Sequence, residues 1–159
     1  MNLDNQVAII TGGASGMGKA CADMLSRQGS SVVVWDKEIT DNQHFAIACD
    51  VSSAQQVEEA LQKTINAKGI PTICINCAGI APAKRITGKT GPMPLAAFQQ
   101  VIDVNLVGTF NVMRVAAQAM TELQPDIETQ ERGVIINTAS IAAYEGQIGQ
   151  AAYSAAKGG

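Results

Sequence analysis

Residues 6–18, QVAIITGGASGMG, decide the fold. Residues 6–11 are apolar almost throughout, which is typical of a strand buried on both faces of a parallel sheet. A glycine-rich turn follows at residues 11–18, and a helix is predicted at residues 17–28. Backbone N–H groups and the positive dipole end at the start of such a helix attract phosphate groups, and glycines let them approach closely. The stretch therefore predicts a strand, a phosphate-binding turn and a helix.

Two other interpretations of this turn have to be weighed. Its spacing, Gly12-x3-Gly16-x-Gly18, differs from the common G-x-G-x-x-G pattern. Residues 13–19 also fit the triphosphate-binding loop G-x-x-x-x-G-K, but Ala20 stands where that loop needs a hydroxyl for magnesium. On the turn alone, a tight connection that binds nothing stays open.

Short β-branched runs alternate with helical patterns along the rest of the chain, which is typical of βαβ units. The second to fifth strands are predicted at residues 31–35, 44–49, 72–76 and 134–138. Further helices are predicted from the N-cap Ser53 to the breakers Gly69 and Pro71, at residues 95–121 with a local irregularity, and from about Ala151 onward. These elements predict one doubly wound, Rossmann-type domain over residues 1–159, a parallel sheet between helices in three αβα layers.

Composition limits the functional classes. The chain has 159 residues, 47% hydrophobic and 16% charged, with a net charge of -3, which suits one folded domain. No apolar run approaches 18 residues, so no membrane span is predicted. Only 11 Lys and Arg, without a cluster, argue against nucleic acid as a partner. No basic region precedes an apolar run at the start, so we expect the cytoplasm, with the mitochondrial matrix as the alternative.

Two segments suggest contact surfaces. Residues 78–94 form a long loop with three Pro and three Gly, a candidate rim for a substrate site. In residues 95–121 the only charged side chains are Asp103 and Arg114. A helix that is apolar nearly all round is buried or packs against a partner subunit, so a homo-oligomer is expected.

Cysteine and histidine give no metal site. Cys74 and Cys77 lie three apart at the end of a predicted strand, and residues at that spacing in extended backbone point to opposite faces, so they cannot share a metal ion. The four cysteines are expected to be reduced thiols. The single histidine, His44, is expected to be solvated at a strand edge, which excludes histidine-based triads.

Acidic residues follow two of the predicted strands. Asp36 comes 18 residues after Gly18, where an acidic side chain accepts hydrogen bonds from a ribose. Its charge would repel a 2′-phosphate, so it favours NAD over NADP. Asp50 and Val51 close the third strand, where they could contact an adenine ring, although an Asx turn would place Asp50 identically.

A candidate catalytic set lies near the C-terminus of the chain. Tyr153 and Lys157 are four apart on a predicted helix and share a face. A nearby ammonium lowers the pKa of a tyrosine, so the pair could exchange a proton with a carbonyl or alcohol oxygen. Ser140 lies at the carboxyl end of the fifth strand, where ligands bind in open α/β sheets. The pair is a weak signal alone, but it is specific together with Ser140 and the glycine-rich turn.

Together these motifs resemble the short-chain dehydrogenase/reductase family. The resemblance rests on the turn at residues 11–18, Asn76-Cys77-Ala78-Gly79, Val104-Asn105-Leu106, Ser140 and Tyr153-Ser154-Ala155-Ala156-Lys157. Within the family the chain is most similar to the type 2 3-hydroxyacyl-CoA dehydrogenases, through residues 76–81, 103–112, 133–140 and 145–153 and the insertion-like loop at 81–94.

The resemblance implies a role for each matching residue. Tyr153 is the acid or base, Lys157 lowers its pKa and binds the nicotinamide ribose, and Ser140 orients the substrate oxygen. Asn105 interrupts its helix and holds a water that relays protons. The implied cofactor is NAD, contacted by Gly12, Ser15, Gly16, Met17, Gly18, Asp36, Asp50, Val51, Asn76, Cys77, Ala78, Gly79, Tyr153 and Lys157. The implied reaction interconverts 3-hydroxyacyl-CoA and 3-oxoacyl-CoA in fatty acid metabolism, in a homodimer or homotetramer.

Three other functions stay open from the sequence. They are a 3-oxoacyl-carrier-protein reductase, a hydroxysteroid dehydrogenase, and a dinucleotide-binding module without catalysis. Asp36 counts against the first of these, because such reductases usually use NADP. The resemblance also implies further strands and a loop that closes over the substrate beyond Gly159. A chain ending there is therefore expected to be inactive or insoluble.

Overall fold

A parallel five-stranded sheet lies between two layers of helices in the computed structural model, which describes residues 2–39, 43–89 and 91–159. In chain order the elements are β1 (Val7–Thr11), α1 (Gly16–Arg27), β2 (Ser31–Asp36), β3 (Phe45–Ala48), α2 (Ala54–Lys68), β4 (Ile73–Asn76), β5 (Thr87–Gly88), β6 (Gly91–Pro92), α3 (Leu95–Ile102), a π-helical turn (Asp103–Val107), α4 (Gly108–Met120), β7 (Val134–Asn137), a 3₁₀ turn (Ile141–Ala143) and α5 (Ala151–Gly158). The sheet has the order β3-β2-β1-β4-β7. The predicted Rossmann-type fold is confirmed.

Alternation along the strands separates two apolar cores. Successive strand residues point to opposite faces of a sheet. Ile9, Val33 and Cys74 are buried on one face, against α2 and α4. Ile10 and Val34 are buried on the other face, against α1. Because helices cover both faces, these strands are apolar at nearly every position.

The single tryptophan joins the sheet to one of these helices. The indole Nε1 of Trp35, on β2, donates to Oγ1 of Thr64 on α2 at 3.0 Å, and both side chains are buried. A buried indole N–H needs such a partner. The bond therefore fixes α2 against the strand that ends at Asp36.

The strand order reverses between β1 and β4. The register pairs Thr11 with Asn76, and Asn76 with Asn137, at the carboxyl ends of the three strands. Oγ1 of Thr11 lies 3.4 Å from Oδ1 of Asn76, whose Nδ2 donates to Oδ1 of Asn137 at 2.8 Å. A row of polar side chains therefore marks the edge of the sheet where ligands bind in such folds.

Several helix-end residues predicted from the sequence have that role in the structure. Ser53 is the N-cap of α2 and accepts a hydrogen bond from the Gln56 N–H, and α1 ends just before Gly29, which has a φ of +88°. The predicted irregularity in residues 95–121 is the π-helical turn at Asp103–Val107. The loop at residues 78–94 contains an antiparallel ribbon, β5 and β6, that the sequence did not indicate.

The expectation for His44 is wrong. Its side chain is only 9% exposed, and its Nε2 lies 2.8 Å from Oδ1 of Asp23 on α1. The Asp23 carboxylate also pairs with Lys19 at 2.8 Å. This contact packs the imidazole between α1 and the start of β3, which explains the burial of a residue that is often solvated.

Some large apolar side chains remain exposed at the surface. Val107 is 45% exposed and Phe110 58%, and Ile136 on the edge strand β7 is 48% exposed. In the part of the chain that the structure describes, no helix combines the length and the apolar character needed to cross a bilayer.

Candidate functional site

A cavity of about 400 Å³ opens at the carboxyl edge of the sheet, where the strand order reverses. The glycine-rich turn, the ends of β2 and β3 and the segment after β4 form its wall. The lining residues are Gly12, Ser15, Gly16, Met17, Gly18, Trp35, Asp36, Lys37, Cys49, Asp50, Val51, Cys77, Ala78, Gly79, Ile80, Gln100 and Val104. Of the residues expected to contact the cofactor, Asn76, Tyr153 and Lys157 do not line this cavity.

Two glycines of the turn are required by close contact. Gly12 has a φ of +64°, and a Cβ there would lie 2.8 Å from the backbone nitrogen of Ala78. A Cβ on Gly18 would collide with the carbonyl oxygen of Gly12. By contrast, Gly16 has a φ of +51° and nothing within 4 Å of a Cβ position, so the turn is open on that side. The backbone is packed tightly beneath the cavity and exposed toward it.

The start of α1 offers unused hydrogen-bond donors. Ser15 is the N-cap in extended conformation, and its side chain makes no capping bond. The first turn of α1 also contains no acidic residue. The first N–H groups of the helix and the Ser15 hydroxyl can therefore bind an anion, so the residues present fit a phosphate or pyrophosphate group.

Asp36 connects this turn to the end of β2. Its Oδ2 accepts from the Ala14 N–H at 3.0 Å, and its Oδ1 accepts from the Glu38 N–H at 3.3 Å. The carboxylate lies in the cavity wall with lone pairs left over, since each oxygen can accept two bonds. It can accept hydrogen bonds from sugar hydroxyls beside the phosphate-binding turn.

Asp50 forms the Asx turn that the sequence left as an alternative. Its Oδ1 accepts from the Ser52 hydroxyl at 2.6 Å and from the Ser52 N–H at 3.0 Å, and its Oδ2 lies 3.1 Å from Nζ of Lys37. The Ser52 hydroxyl foremost, then the Ser52 N–H and Lys37, lower the pKa of Asp50 despite partial burial. The carboxylate is therefore ionised at neutral pH while it lines the cavity.

The wall beside Asp50 is held by a buried amide. Val51 is 6% exposed, and its carbonyl accepts from Nδ2 of Asn111 on α4 at 2.9 Å. Nε of Arg114 in turn donates to Oδ1 of Asn111 at 3.0 Å. Val51 thus offers a fixed apolar surface suited to the face of a planar ring.

The buried hydroxyl of Thr11 positions the segment after β4. It accepts from the N–H groups of Cys77 and Ala78, each at 3.2 Å. The sequence analysis gave Thr11 no role of its own. The available signal was a hydroxyl at the end of an otherwise apolar strand, where backbone groups leave the sheet ladder and need new partners.

Asn105 holds the same segment from the other side. In the π-helical turn its Oδ1 accepts from the Ile80 N–H and its Nδ2 donates to the Ile80 carbonyl, both at 2.8 Å. The carbonyl of Asn105 accepts from the Thr109 hydroxyl at 2.8 Å. This clasp gives the interruption of the helix a structural reason, and the implied water relay stays a prediction.

Ser140, Tyr153 and Lys157 lie outside the lining of this cavity, and Lys157 is tied to the segment after β7. Nζ of Lys157 donates to the Thr138 carbonyl at 2.6 Å and lies 5.9 Å from the centre of the Tyr153 ring. Oγ of Ser140 accepts from the Ala142 N–H at 3.2 Å. Lys157 is therefore bound to the segment that carries Ser140 and faces Tyr153 on its own helix.

Thr138 links this trio to the cavity wall. Its hydroxyl donates to the Asn76 carbonyl at 2.7 Å and lies 3.6 Å from Sγ of Cys77, which lines the cavity. The sequence analysis did not single out Thr138 or Trp35, and it gave Lys37 no contact. Each acts through a contact between different elements of the fold, for which residue spacing gives no signal.

The cysteines lack the properties of a reactive or metal-binding set. Burial raises the pKa of Cys49 to about 11 and that of Cys74 to about 12, so both stay protonated thiols at neutral pH. All four cysteines are free. Within residues 2–39, 43–89 and 91–159, no three His, Cys, Asp or Glu side chains come together as a metal site.

The chain is similar to known proteins of one enzyme family. The model of the family described as "short chain dehydrogenase" matches residues 6–159. The 3-hydroxyacyl-CoA dehydrogenase type-2 of Homo sapiens is 48% identical over 96% of this chain, which covers 62% of that protein. The protein of the same name from Drosophila melanogaster is 44% identical over 98% of this chain, which covers 65% of it.

A solved structure gives the same result. The crystal structure of 3-hydroxyacyl-CoA dehydrogenase type-2 from Mycobacterium avium matches with a TM-score of 0.89 and 34% identity, over 100% of this chain and 66% of that one. The chain therefore spans between 62% and 66% of the length of these three relatives.

Proposed function

The chain belongs to the short-chain dehydrogenase family, and we propose from this premise that it is part of an NAD-dependent oxidoreductase that interconverts 3-hydroxyacyl-CoA and 3-oxoacyl-CoA. The observation that carries the proposal is the position of the Lys157 ammonium, which donates to the Thr138 carbonyl and lies near the Tyr153 ring. The Thr138 hydroxyl in turn contacts Cys77 in the cavity wall. This arrangement supports a proton-transfer role for Tyr153 and Lys157 near a site whose residues fit a dinucleotide.

The binding end of the site follows from the groups already described. The N-terminus of α1 and the Ser15 hydroxyl would hold the pyrophosphate, Asp36 would accept the ribose hydroxyls, and Val51 would face the adenine. The negative charge of Asp36 disfavours a 2′-phosphate, which supports NAD as the cofactor. A bound nicotinamide ring would supply the hydride acceptor or donor.

The proton is handled by the chain itself. Tyr153 would take a proton from the alcohol oxygen or return one to the carbonyl oxygen. The positive charge of Lys157 would stabilise negative charge that develops on the phenol oxygen during transfer. Ser140 accepts a backbone N–H on its oxygen, which leaves its own O–H free to donate to the substrate oxygen and fix its position.

Charge next to the site supports a phosphate-bearing thioester as substrate. Lys84, Arg85 and Lys89 are exposed on the rim loop, and among the described residues none of them lies within ion-pair distance of a carboxylate. The Lys84 N–H donates to the Gly149 carbonyl at 2.7 Å, which brings this loop to the start of α5. CoA carries phosphates that such cations attract, and a steroid carries none. The similarity to 3-hydroxyacyl-CoA dehydrogenases supports the same substrate class.

Steady-state kinetics would test the proposal. The enzyme of which this chain forms part should reduce acetoacetyl-CoA with NADH more efficiently than with NADPH. With NADH, it should reduce acetoacetyl-CoA more efficiently than the phosphate-free N-acetylcysteamine thioester of acetoacetate. Tyr153→Phe should lower kcat by about 10²- to 10⁴-fold because it removes the acid–base group. The other tyrosine, Tyr144, is 89% exposed, so Tyr144→Phe serves as the matched control with unchanged kcat.

The possible outcomes separate the alternatives. Preference for NADPH would favour the carrier-protein reductase, and equal rates with both thioesters would remove CoA from the proposal. NADH binding without turnover of any ketone would favour a binding module. If Tyr153→Phe kept the kcat of the unmodified protein, the proposed mechanism would be wrong.

A further inference from the structure

Charge is unevenly distributed at the end of the cavity formed by β2 and β3. Asp36, Lys37 and Asp50 all line it. Among the described lining residues, Lys37 is the only Lys or Arg. Two carboxylates against one ammonium leave this wall with net negative charge, and Lys37 is the one cationic side chain among the described lining residues that could offset a phosphate added here.

Lys37 is already paired. Its Nζ lies 3.1 Å from Oδ2 of Asp50, although its side chain is 75% exposed and that of Asp50 only 24%. The long lysine side chain is free to adopt other rotamers, whereas the carboxylate is fixed. Both the hydroxyl and the N–H of Ser52 bind its Oδ1, and the Asp50 N–H donates to Oε1 of Gln56 at 2.9 Å. Asp50 therefore sets where the ammonium rests.

The position of this pair matters because of its neighbour. Asp36 is adjacent to Lys37 in the chain and lies where a ribose would bind. A 2′-phosphate on that ribose would be repelled by Asp36 and would need a cation to offset the repulsion. Because its ammonium is paired with Asp50, Lys37 offsets less of the repulsion between Asp36 and a 2′-phosphate.

We propose that Asp50 is a specificity-determining residue: by pairing with Lys37 it withholds from a 2′-phosphate the cation of this cavity wall, and so strengthens the selection of NAD over NADP. Asp36 alone accounts for repulsion of the phosphate. Asp50 adds a second contribution that acts through Lys37. This inference rests on the proposed dinucleotide-dependent function.

Equilibrium binding would test it without turnover. Trp35 lines the cavity and is the single tryptophan, so its fluorescence can report the dissociation constants of NAD⁺ and NADP⁺. Asp50→Asn removes the charge but keeps an oxygen that can accept the Ser52 bonds. The ratio of the NADP⁺ to the NAD⁺ dissociation constant should fall about fivefold, the size expected for release of one exposed ion pair.

A double-mutant cycle separates this mechanism from general loss of negative charge. In a Lys37→Met background, Asp50→Asn should move the ratio by less than about twofold, because no cation is left to release. Glu58→Gln, which removes the same charge from an exposed pair with Arg114 on α2 and α4, is the matched control and should leave the ratio unchanged. Asp50→Ser gives a second charge-removing variant should Asp50→Asn fold poorly.

Two results would overturn the inference alone. The first is that neither Asp50→Asn nor Asp50→Ser changes the ratio of the NADP⁺ to the NAD⁺ dissociation constant. The second is that Asp50→Asn lowers this ratio as much in the Lys37→Met background as in the unmodified protein. In both cases the unmodified protein still binds NAD⁺, and the proposed function stands. If the unmodified protein binds neither dinucleotide, the proposed function and this inference fail together.

Discussion

At the scale of single residues, packing rather than backbone freedom requires glycine at position 18. A Cβ there would meet the carbonyl oxygen of Gly12, on the facing part of the same turn. That oxygen belongs to backbone and cannot rotate away as a flexible side chain could. The tightness of the phosphate-binding turn therefore depends on the missing side chain of one residue.

This contact predicts the effect of Gly18→Ala. The extra methyl should force the two parts of the turn apart, lower the free energy of unfolding by about 1–3 kcal/mol and weaken dinucleotide binding. Urea unfolding and Trp35 fluorescence would measure the two effects. Gly146→Ala is the matched control, since no atom lies within 4 Å of a Cβ there and its φ is ordinary. Equal stability of both variants would contradict the expectation.

Individual site residues differ in how far the sequence determined them. The strand-end position of Asp36 and the helical spacing of Tyr153 and Lys157 follow from the periodicity of each element. The pairing of Lys37 with Asp50 does not, because it depends on how the ends of β2 and β3 lie side by side. Contacts between side chains on different elements need the tertiary structure.

At the scale of secondary-structure elements, apolar periodicity and end signals located the five strands of the sheet and the helices between them. The ribbon of β5 and β6 was not predicted, because two-residue strands carry no periodicity. The burial of His44 was missed for another reason. Its partner Asp23 lies 21 positions away on α1, and the two meet only once β3 has joined the sheet.

This link between α1 and β3 predicts a pH dependence of stability. The Lys19 hydrogen bond foremost, then that of His44, lowers the pKa of Asp23 below its ordinary value of about 3.9. A carboxyl with a depressed pKa in the folded state stabilises the fold above its unfolded pKa, and this stabilisation is lost as the pH falls through the folded value. Asp23→Asn should therefore be less stable than the unmodified protein above about pH 4 and equally stable in stronger acid.

Urea unfolding across a pH series would measure the difference between the two proteins. A difference that persists or grows below the folded pKa of Asp23 would show that the side chain acts by packing instead. The experiment thereby distinguishes an electrostatic contribution of the Asp23 carboxylate from a contribution of its side-chain packing.

At the scale of the whole molecule, one helical face has no covering element among the described residues. Val107 and Phe110 are three positions apart and share a side of the helix, and both are largely exposed. Neighbouring exposed apolar side chains of this kind are typical of subunit contacts. We therefore expect the protein to self-associate through this face.

Phe110→Glu should shift the protein toward smaller species in sedimentation velocity, because burial of a carboxylate in an apolar contact is costly. Ile127→Glu gives the matched control, since Ile127 is 90% exposed on the connection between α4 and β7. A sedimentation profile unaffected by Phe110→Glu, but altered by Ile127→Glu, would move the contact to another surface.

The polar row of Thr11, Asn76 and Asn137 has a consequence for how the chain assembles. Parallel sheets form from segments far apart in sequence, so misaligned pairings compete during folding. Sliding β4 by one position would bring Ile75 opposite the amide of Asn137 and leave that amide without its bond. The three side chains therefore help to select the strand register. Their hydrogen bonds form in the native register and are lost when a strand shifts by one position, whether or not a ligand is bound.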